Sequence, residues 1–136
     1  MKKLDLILLV DDDPIVNFYN EDLLKGMDIA ETIEIVKDGQ EALDFILKQG
    51  DYLSASHGSP NLIFLDINMP RMNGFEFLEK CKEFDIIDKI ETIVCMVTTS
   101  LHDDDRKKAE EYKEISAYVS KPLDEEKVRN ILETLF

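Results

Sequence analysis

Apolar residues in this chain fall into short unbroken runs, separated by stretches in which they recur every three or four positions. Three runs, LDLILLV (4–10), NLIFLD (61–66) and TIVCMVT (92–98), are nearly continuous, as in strands covered on both faces. TIEIV (32–36) alternates more cleanly and predicts a strand nearer a sheet edge, and AYVS (117–120) predicts a short fifth strand. Between them, PIVNFYNEDLLK (14–25) predicts a helix that Asp13 caps and Pro14 opens. GQEALDFILKQ (39–49) clusters Ala42, Leu43, Phe45, Ile46 and Leu47, and GFEFLEKCKEF (74–84) sets Phe75, Leu78 and Cys81 three apart. SLHDDDRKKAEEY (100–112) is mostly polar, with Asp103–Asp105 suited to a helix start, and DEEKVRNILETLF (124–136) is amphipathic. This βαβαβαβαβα order predicts an α/β fold: one domain over 1–136, with a doubly wound five-stranded parallel sheet and helices on both faces. The long connection GDYLSASHGSPN (50–61) reads either as a surface loop or as a contact specific to one partner.

Composition narrows the partners. The 136 residues carry 30 acidic and 16 basic side chains, a net charge of −14. Such a field disfavours a nucleic-acid backbone or an anionic membrane surface and suits a chain that binds cations. The apolar run near the N-terminus is too short for a secretory core, and no stretch approaches the roughly 20 residues of a membrane span. Cys81 and Cys95 have neither metal-site nor redox spacing, and Cys95 reads as a small buried hydrophobe. A cytoplasmic protein is expected.

In a doubly wound sheet, function collects at the carboxyl ends of the strands. Here those ends supply Asp11 and Asp12, Asp66, Thr98 and Lys121. Three carboxylates brought together either hold protons or bind a cation. All-oxygen ligands suit a hard ion, and Mg2+ takes a few carboxylates while keeping several waters. Carboxylates, a lysine and a hydroxyl, with no reactive cysteine and neither His57 nor His102 placed to act, point to phosphoryl chemistry. A carboxylate can itself be the nucleophile, giving an aspartyl phosphate. Each residue alone has a plainer reading: helix-capping acids at Asp11–Asp13, a turn at Lys121–Pro122, a good β-former at Thr98. Their joint occurrence at the right strand ends carries the case.

LILLVDDDP, LIFLDINMPRMNGFEFL, MVTTS and YVSKPLD, in this order, resemble the response-regulator receiver domain of two-component signalling. Pro70 and Gly74 stand four and eight residues after Asp66, as is usual in that family. The resemblance runs from about Leu4 to Phe136 and implies the flavodoxin-like strand order 2-1-3-4-5. It implies that Asp66 accepts the phosphoryl group and that Asp12 binds Mg2+ directly, with Asp11 acting mainly through water. Asn68 would add its backbone carbonyl, while Thr98 and Lys121 would bind phosphoryl oxygens. The Lys121–Pro122 bond is typically cis in this family. Tyr118 matches the aromatic that turns inward as Thr98 moves, reshaping the face made by the fourth helix (100–112), fifth strand (117–120) and fifth helix (124–136). The donor would be a sensor histidine kinase or a histidine phosphotransfer protein, docking near Ile15, Phe18 and Pro122. Asn68 and Ser100 hold positions that tune dephosphorylation. Thr99 stands where a smaller residue is usual and would narrow access to Asp66. The 50–61 stretch is longer than usual, and EISAY (114–118) lacks a customary glycine.

With no output domain expected, output would pass through an unidentified downstream protein, through self-association as a homodimer, or by handing phosphate onward. Such a chain is a signalling protein that catalyses only its own phosphorylation and dephosphorylation. Two rivals share parts of the pattern. A haloacid-dehalogenase-type phosphohydrolase wants its nucleophile after the first strand and a larger chain. A receiver-like binding module that no longer uses phosphate would have little need of the intact acidic set. An FMN carrier of the same topology fails on charge, because the aspartates after the first strand would repel the FMN phosphate.

Overall fold

The computed structural model describes residues 3–99 and 103–136. Ser100 and His102 lie outside the described residues. Five parallel strands, β1 (Leu4–Val10), β2 (Ala30–Val36), β3 (Leu62–Leu65), β4 (Ile93–Thr98) and β5 (Ile115–Ser120), form one sheet in the order β2-β1-β3-β4-β5. The helices are α1 (Pro14–Met27), α2 (Gly39–Leu47), α3 (Gly74–Phe84), α4 (Ile86–Ile90), α5 (Asp103–Glu110) and α6 (Glu125–Leu135). The fold is the doubly wound, flavodoxin-like one that the sequence predicts.

The continuous apolar runs have a direct cause. Alternate residues of a central strand enter opposite layers, and both layers are dry. Leu6, Leu8 and Val10 of β1, Ile63 and Leu65 of β3, and Val94 and Met96 of β4 pack into one core with Phe45, Phe77 and Leu78. Ile7 and Leu9, Leu62 and Phe64, and Cys95 and Val97 enter the other, with Leu24 of α1 and Val128, Ile131 and Leu132 of α6. β2 is an edge strand, as its alternation predicts, and its exposed positions include Glu31 and Glu34.

Several boundaries differ from the sequence reading. The second helix stops at Leu47 rather than Gln49, because Lys48 takes a left-handed φ of 55° as its C-cap. The last strand starts at Ile115, two residues before AYVS. A short helix over Ile86–Ile90 has no counterpart in the predicted elements; it forms where Ile86 and Ile87 bury against the core. The predicted fourth and fifth helices are therefore α5 and α6. The 50–61 connection opens with a 3-10 turn over Gly50–Tyr52 and folds back onto α2. There the His57 ring stacks on Phe45 at 3.8 Å, Tyr52 meets Phe45 edge-on at 5.2 Å, and His57 Nε2 bonds the Phe45 carbonyl at 2.7 Å.

Candidate functional site

The site residues stand immediately beyond the strands, where the sheet's hydrogen-bond ladder extends one step. Asp11 N donates to the Val36 carbonyl at 3.2 Å, Asp66 N to Val10 at 3.0 Å, and Lys121 N to Thr98 at 2.9 Å. Backbone pairing thus fixes three side chains, far apart in sequence, over one sheet edge. Carboxylate oxygens of Asp11, Asp12 and Asp66 lie within 4.8 Å of one another; Asp11 and Asp66 are buried and Asp12 is exposed.

Asp11 is the best anchored of them. Its Oδ1 accepts from Asp13 N at 3.0 Å, its carbonyl accepts from Asn17 Nδ2 at 2.8 Å, and its Oδ2 accepts from Lys121 Nζ at 2.6 Å. Lys121 Nζ also lies 3.4 Å from Asp66 Oδ1. Asp13 turns away to cap α1, its Oδ1 accepting from Ile15 N at 2.9 Å. Burial, then the nearby Asp11 charge, push the Asp66 carboxyl up to about 6, with Lys121 opposing. For Lys121, burial works against the ammonium, but the Asp11 hydrogen bond and the two carboxylate charges outweigh it and raise its affinity for the proton. Among the described residues, one ammonium thus pairs with two of the three acids, and a divalent cation would meet the remaining negative charge. The donor set, all oxygen and open to water on the Asp12 side, fits Mg2+.

A close backbone approach sets the turn after Asp66. Gly74 N donates to the Ile67 carbonyl at 2.9 Å, and a Cβ on Gly74 would stand 2.4 Å from the Asp66 carbonyl oxygen. Only glycine fits there. Asn73 and Glu76 close a capping box that starts α3 directly behind it. Asn68 is exposed on the turn between.

Thr98 ends β4 and is 1% exposed, and Thr99 after it is exposed. Tyr118 lies on the edge strand β5, half-buried, with the Arg106 guanidinium 5.5 Å from its ring centre. Its hydroxyl is buried and has no hydrogen-bond partner among the described residues. The Lys121–Pro122 bond is cis. Ile15 and Phe18, which the α1 pattern alone leaves free to face the sheet, instead point to solvent at 79% and 73% exposure. Beside them, Ile15, Val16, Tyr19, Thr99, Lys121 and Pro122 line an apolar cleft of about 500 Å³. Thr99 therefore sits in the wall of the approach to Lys121. The sequence reading missed Tyr19 and Asn17; an asparagine at the fourth position of a helix that follows the acidic run is the signal for Asn17.

The sequence profile of the response regulator receiver domain matches residues 7–133. The chain belongs to this family. Response regulator Rcp1 of Synechocystis is 35% identical over 100 residues, 74% of this chain and 65% of Rcp1, so the match spans just under two thirds of that relative. A crystal structure of a two-component response regulator from Cytophaga hutchinsonii superposes with a TM-score of 0.84 at 35% identity, covering 98% of this chain and 97% of the other. The Mn2+-bound form of Rcp1 superposes with a TM-score of 0.73 at 31% identity, covering 96% and 91%. A protein-glutamate methylesterase/protein-glutamine glutaminase of Methanospirillum hungatei is 34% identical over 94 residues, 69% of this chain but 24% of that enzyme. Receiver domains of this family are signalling proteins, and no helix among the described residues is long and apolar enough to cross a membrane.

Proposed function

We propose that this receiver accepts a phosphoryl group on Asp66 from the phosphohistidine of a sensor kinase or phosphotransfer protein, in the cytoplasm. The observation that carries this reading is the shared edge at which Asp11, Asp12 and Asp66 meet Lys121. An Asp66 carboxylate oxygen attacks phosphorus, the P–N bond to the donor imidazole breaks, and its electron pair leaves with the ring nitrogen. Water later attacks the same phosphorus, returning the carboxylate and releasing inorganic phosphate. Each step develops negative charge on the equatorial oxygens.

Lys121 and the Thr98 hydroxyl bind two of those oxygens. Asp11, Asp12, Asp66 and the Asn68 carbonyl would hold Mg2+, which would supply positive charge against the negative charge developing on the phosphoryl group. Asp66 at about 6 is largely ionised at neutral pH. Asn68, Thr99 and Ser100 tune the lifetime by setting how water reaches the phosphoryl group.

The donor docks on exposed Ile15 and Phe18 and the cleft ending at Pro122, which leads to Lys121. Once Thr98 engages phosphate, the equilibrium shifts toward a fully inward Tyr118, and the α5–β5–α6 face changes for a downstream protein, for a second copy, or for onward transfer. Beryllium fluoride with Mg2+ tests this reading. Saturable resonance shifts at Asp66, Thr98 and Tyr118 are expected. Shifts confined to the surface, or none, would move the reading to a receiver-like module that binds proteins without phosphate.

A further inference from the structure

Arg71 is the conformational outlier of the turn that follows the phosphoacceptor. It carries a φ of 62° at the centre of a three-residue turn closed by Met72 N on the Pro70 carbonyl at 2.7 Å. The other left-handed non-glycine residues among those described, Asp28, Lys48, Asp85 and Glu91, are helix C-caps, where that conformation is ordinary. Arg71 caps no helix, so its conformation is held by its surroundings. Here the surroundings are Asp38. Arg71 Nε donates to Asp38 Oδ2 at 2.9 Å and Nη2 to Asp38 Oδ1 at 3.1 Å, a two-pronged bond across 33 residues.

Asp38 is itself fixed. It is buried, caps α2 through Glu41 N at 2.8 Å, and follows β2 at the same edge of the sheet as the aspartates. A third contact sits beside the pair, where Gly39 N donates to the Met72 carbonyl at 2.8 Å. A Cβ on Gly39 would come within 2.7 Å of that oxygen. The chain from Asp66 to Gly74 is thus tied at its start to β1, at its end to Ile67, and in its middle to the N-terminus of α2. Exposed Asn68 lies in the span between the first and the middle ties.

Resting on the reading of the acidic edge as a Mg2+ site, we infer that Arg71 and Asp38 are positioning residues for the metal. They fix the turn so that the Asn68 carbonyl faces the carboxylates before any ion arrives. A glycine at position 71 would adopt the turn without strain, so an arginine there has its use in the bond to Asp38. Glu41, whose carboxylate accepts from Tyr52 Oη at 3.0 Å, connects the 50–61 loop to the same helix end.

The test is Mg2+ titration of the full chain by calorimetry, comparing wild type with Arg71→Gly, alongside thermal unfolding in chelator. Glycine keeps the left-handed backbone, so Arg71→Gly folds. Removing a positive charge beside a cation site would by itself tighten Mg2+. Loss of positioning weakens it, by about tenfold for an outer-shell partner. The sign of the change separates the two. Weaker Mg2+, a lower melting temperature in chelator because buried Asp38 loses its partner with the transition still cooperative, recovery of full acetyl phosphate labelling at saturating Mg2+, and partial rescue by Arg71→Lys are expected. Equal or tighter Mg2+ binding by Arg71→Gly, in a chain that still labels on Asp66, overturns the positioning role alone. A wild type that binds no Mg2+ overturns the reading of the site together with it.

Discussion

Lys121 is bound more closely to Asp11 than to Asp66: its Nζ is 2.6 Å from Asp11 Oδ2 and 3.4 Å from Asp66 Oδ1. One part-buried ammonium therefore serves two buried carboxylates, and the cluster with Asp12 is left short of positive charge. That imbalance makes the site receptive to a divalent ion and makes Lys121 costly to lose.

Replacing Lys121 with methionine strands two buried acids. In chelator at pH 7.5 the variant is expected to lose about 3–5 kcal/mol, the range for breaking one side of a buried pair. Millimolar Mg2+ should restore part of this, because an ion that binds only the folded state stabilises it. Urea midpoints with and without Mg2+ provide the check, and an unchanged midpoint in chelator would show that the pair carries no weight.

Asp66 sets a pH dependence opposite to that of an ordinary paired carboxylate. Its folded value is raised from 3.8 to about 6. Between these values the folded chain binds a proton that the unfolded chain has released, so stability falls as pH rises through this window. The penalty is complete above about pH 6.5 and amounts to roughly 2–3 kcal/mol. Asp66→Asn should accordingly be more stable than wild type at pH 7.5 in chelator and nearly equal to it near pH 4. Denaturant melts at the two pH values decide, and a constant difference between the proteins would refute the shift.

Gly74 and Gly26 should respond in opposite directions to the same added methyl group. Gly74→Ala drives a Cβ against the Asp66 carbonyl and is expected to cost about 3 kcal/mol while displacing the acceptor. Gly26 lies in α1 with nothing within 4 Å of its would-be Cβ. Gly26→Ala should therefore add about 0.5–1 kcal/mol. Melting curves of the pair, with phosphoryl uptake for Gly74→Ala, test both.

Ile15 and Phe18 are exposed on α1, so changing both to serine should move stability by no more than about 0.5 kcal/mol. Labelling by acetyl phosphate should also be unchanged. Transfer from a phosphohistidine donor protein should slow at least tenfold, because it depends on docking. The ratio of the two rates is the readout, and parallel changes in both would exclude a docking role.

Most of the fold was legible because its causes are local in sequence. The unbroken runs at 4–10, 61–66 and 92–98 alternate between two dry layers, and Asp13 and Pro14 announce the first helix. The acids and Lys121 were legible because each follows its strand directly. What could not be read depends on partners distant in sequence or on side-chain direction. Arg71 and Asp38 are 33 residues apart, and neither side chain advertises the other. His57 looked like part of a polar connection, yet it stacks on Phe45 and bonds a carbonyl in the last turn of α2. Ile15 and Phe18 fit a buried helical face as well as an exposed one. The helix at Ile86–Ile90 is too short to show a period, and it exists because its two isoleucines find space in the core.

The most direct measurement is the intact mass of the chain after incubation with acetyl phosphate, with Mg2+ and with chelator, beside Asp66→Asn. A single added phosphoryl mass that needs Mg2+ and is absent from Asp66→Asn is the predicted result. A folded wild type that gains no mass, or an Asp66→Asn variant that gains as much, would contradict the assignment of Asp66 as the phosphoacceptor.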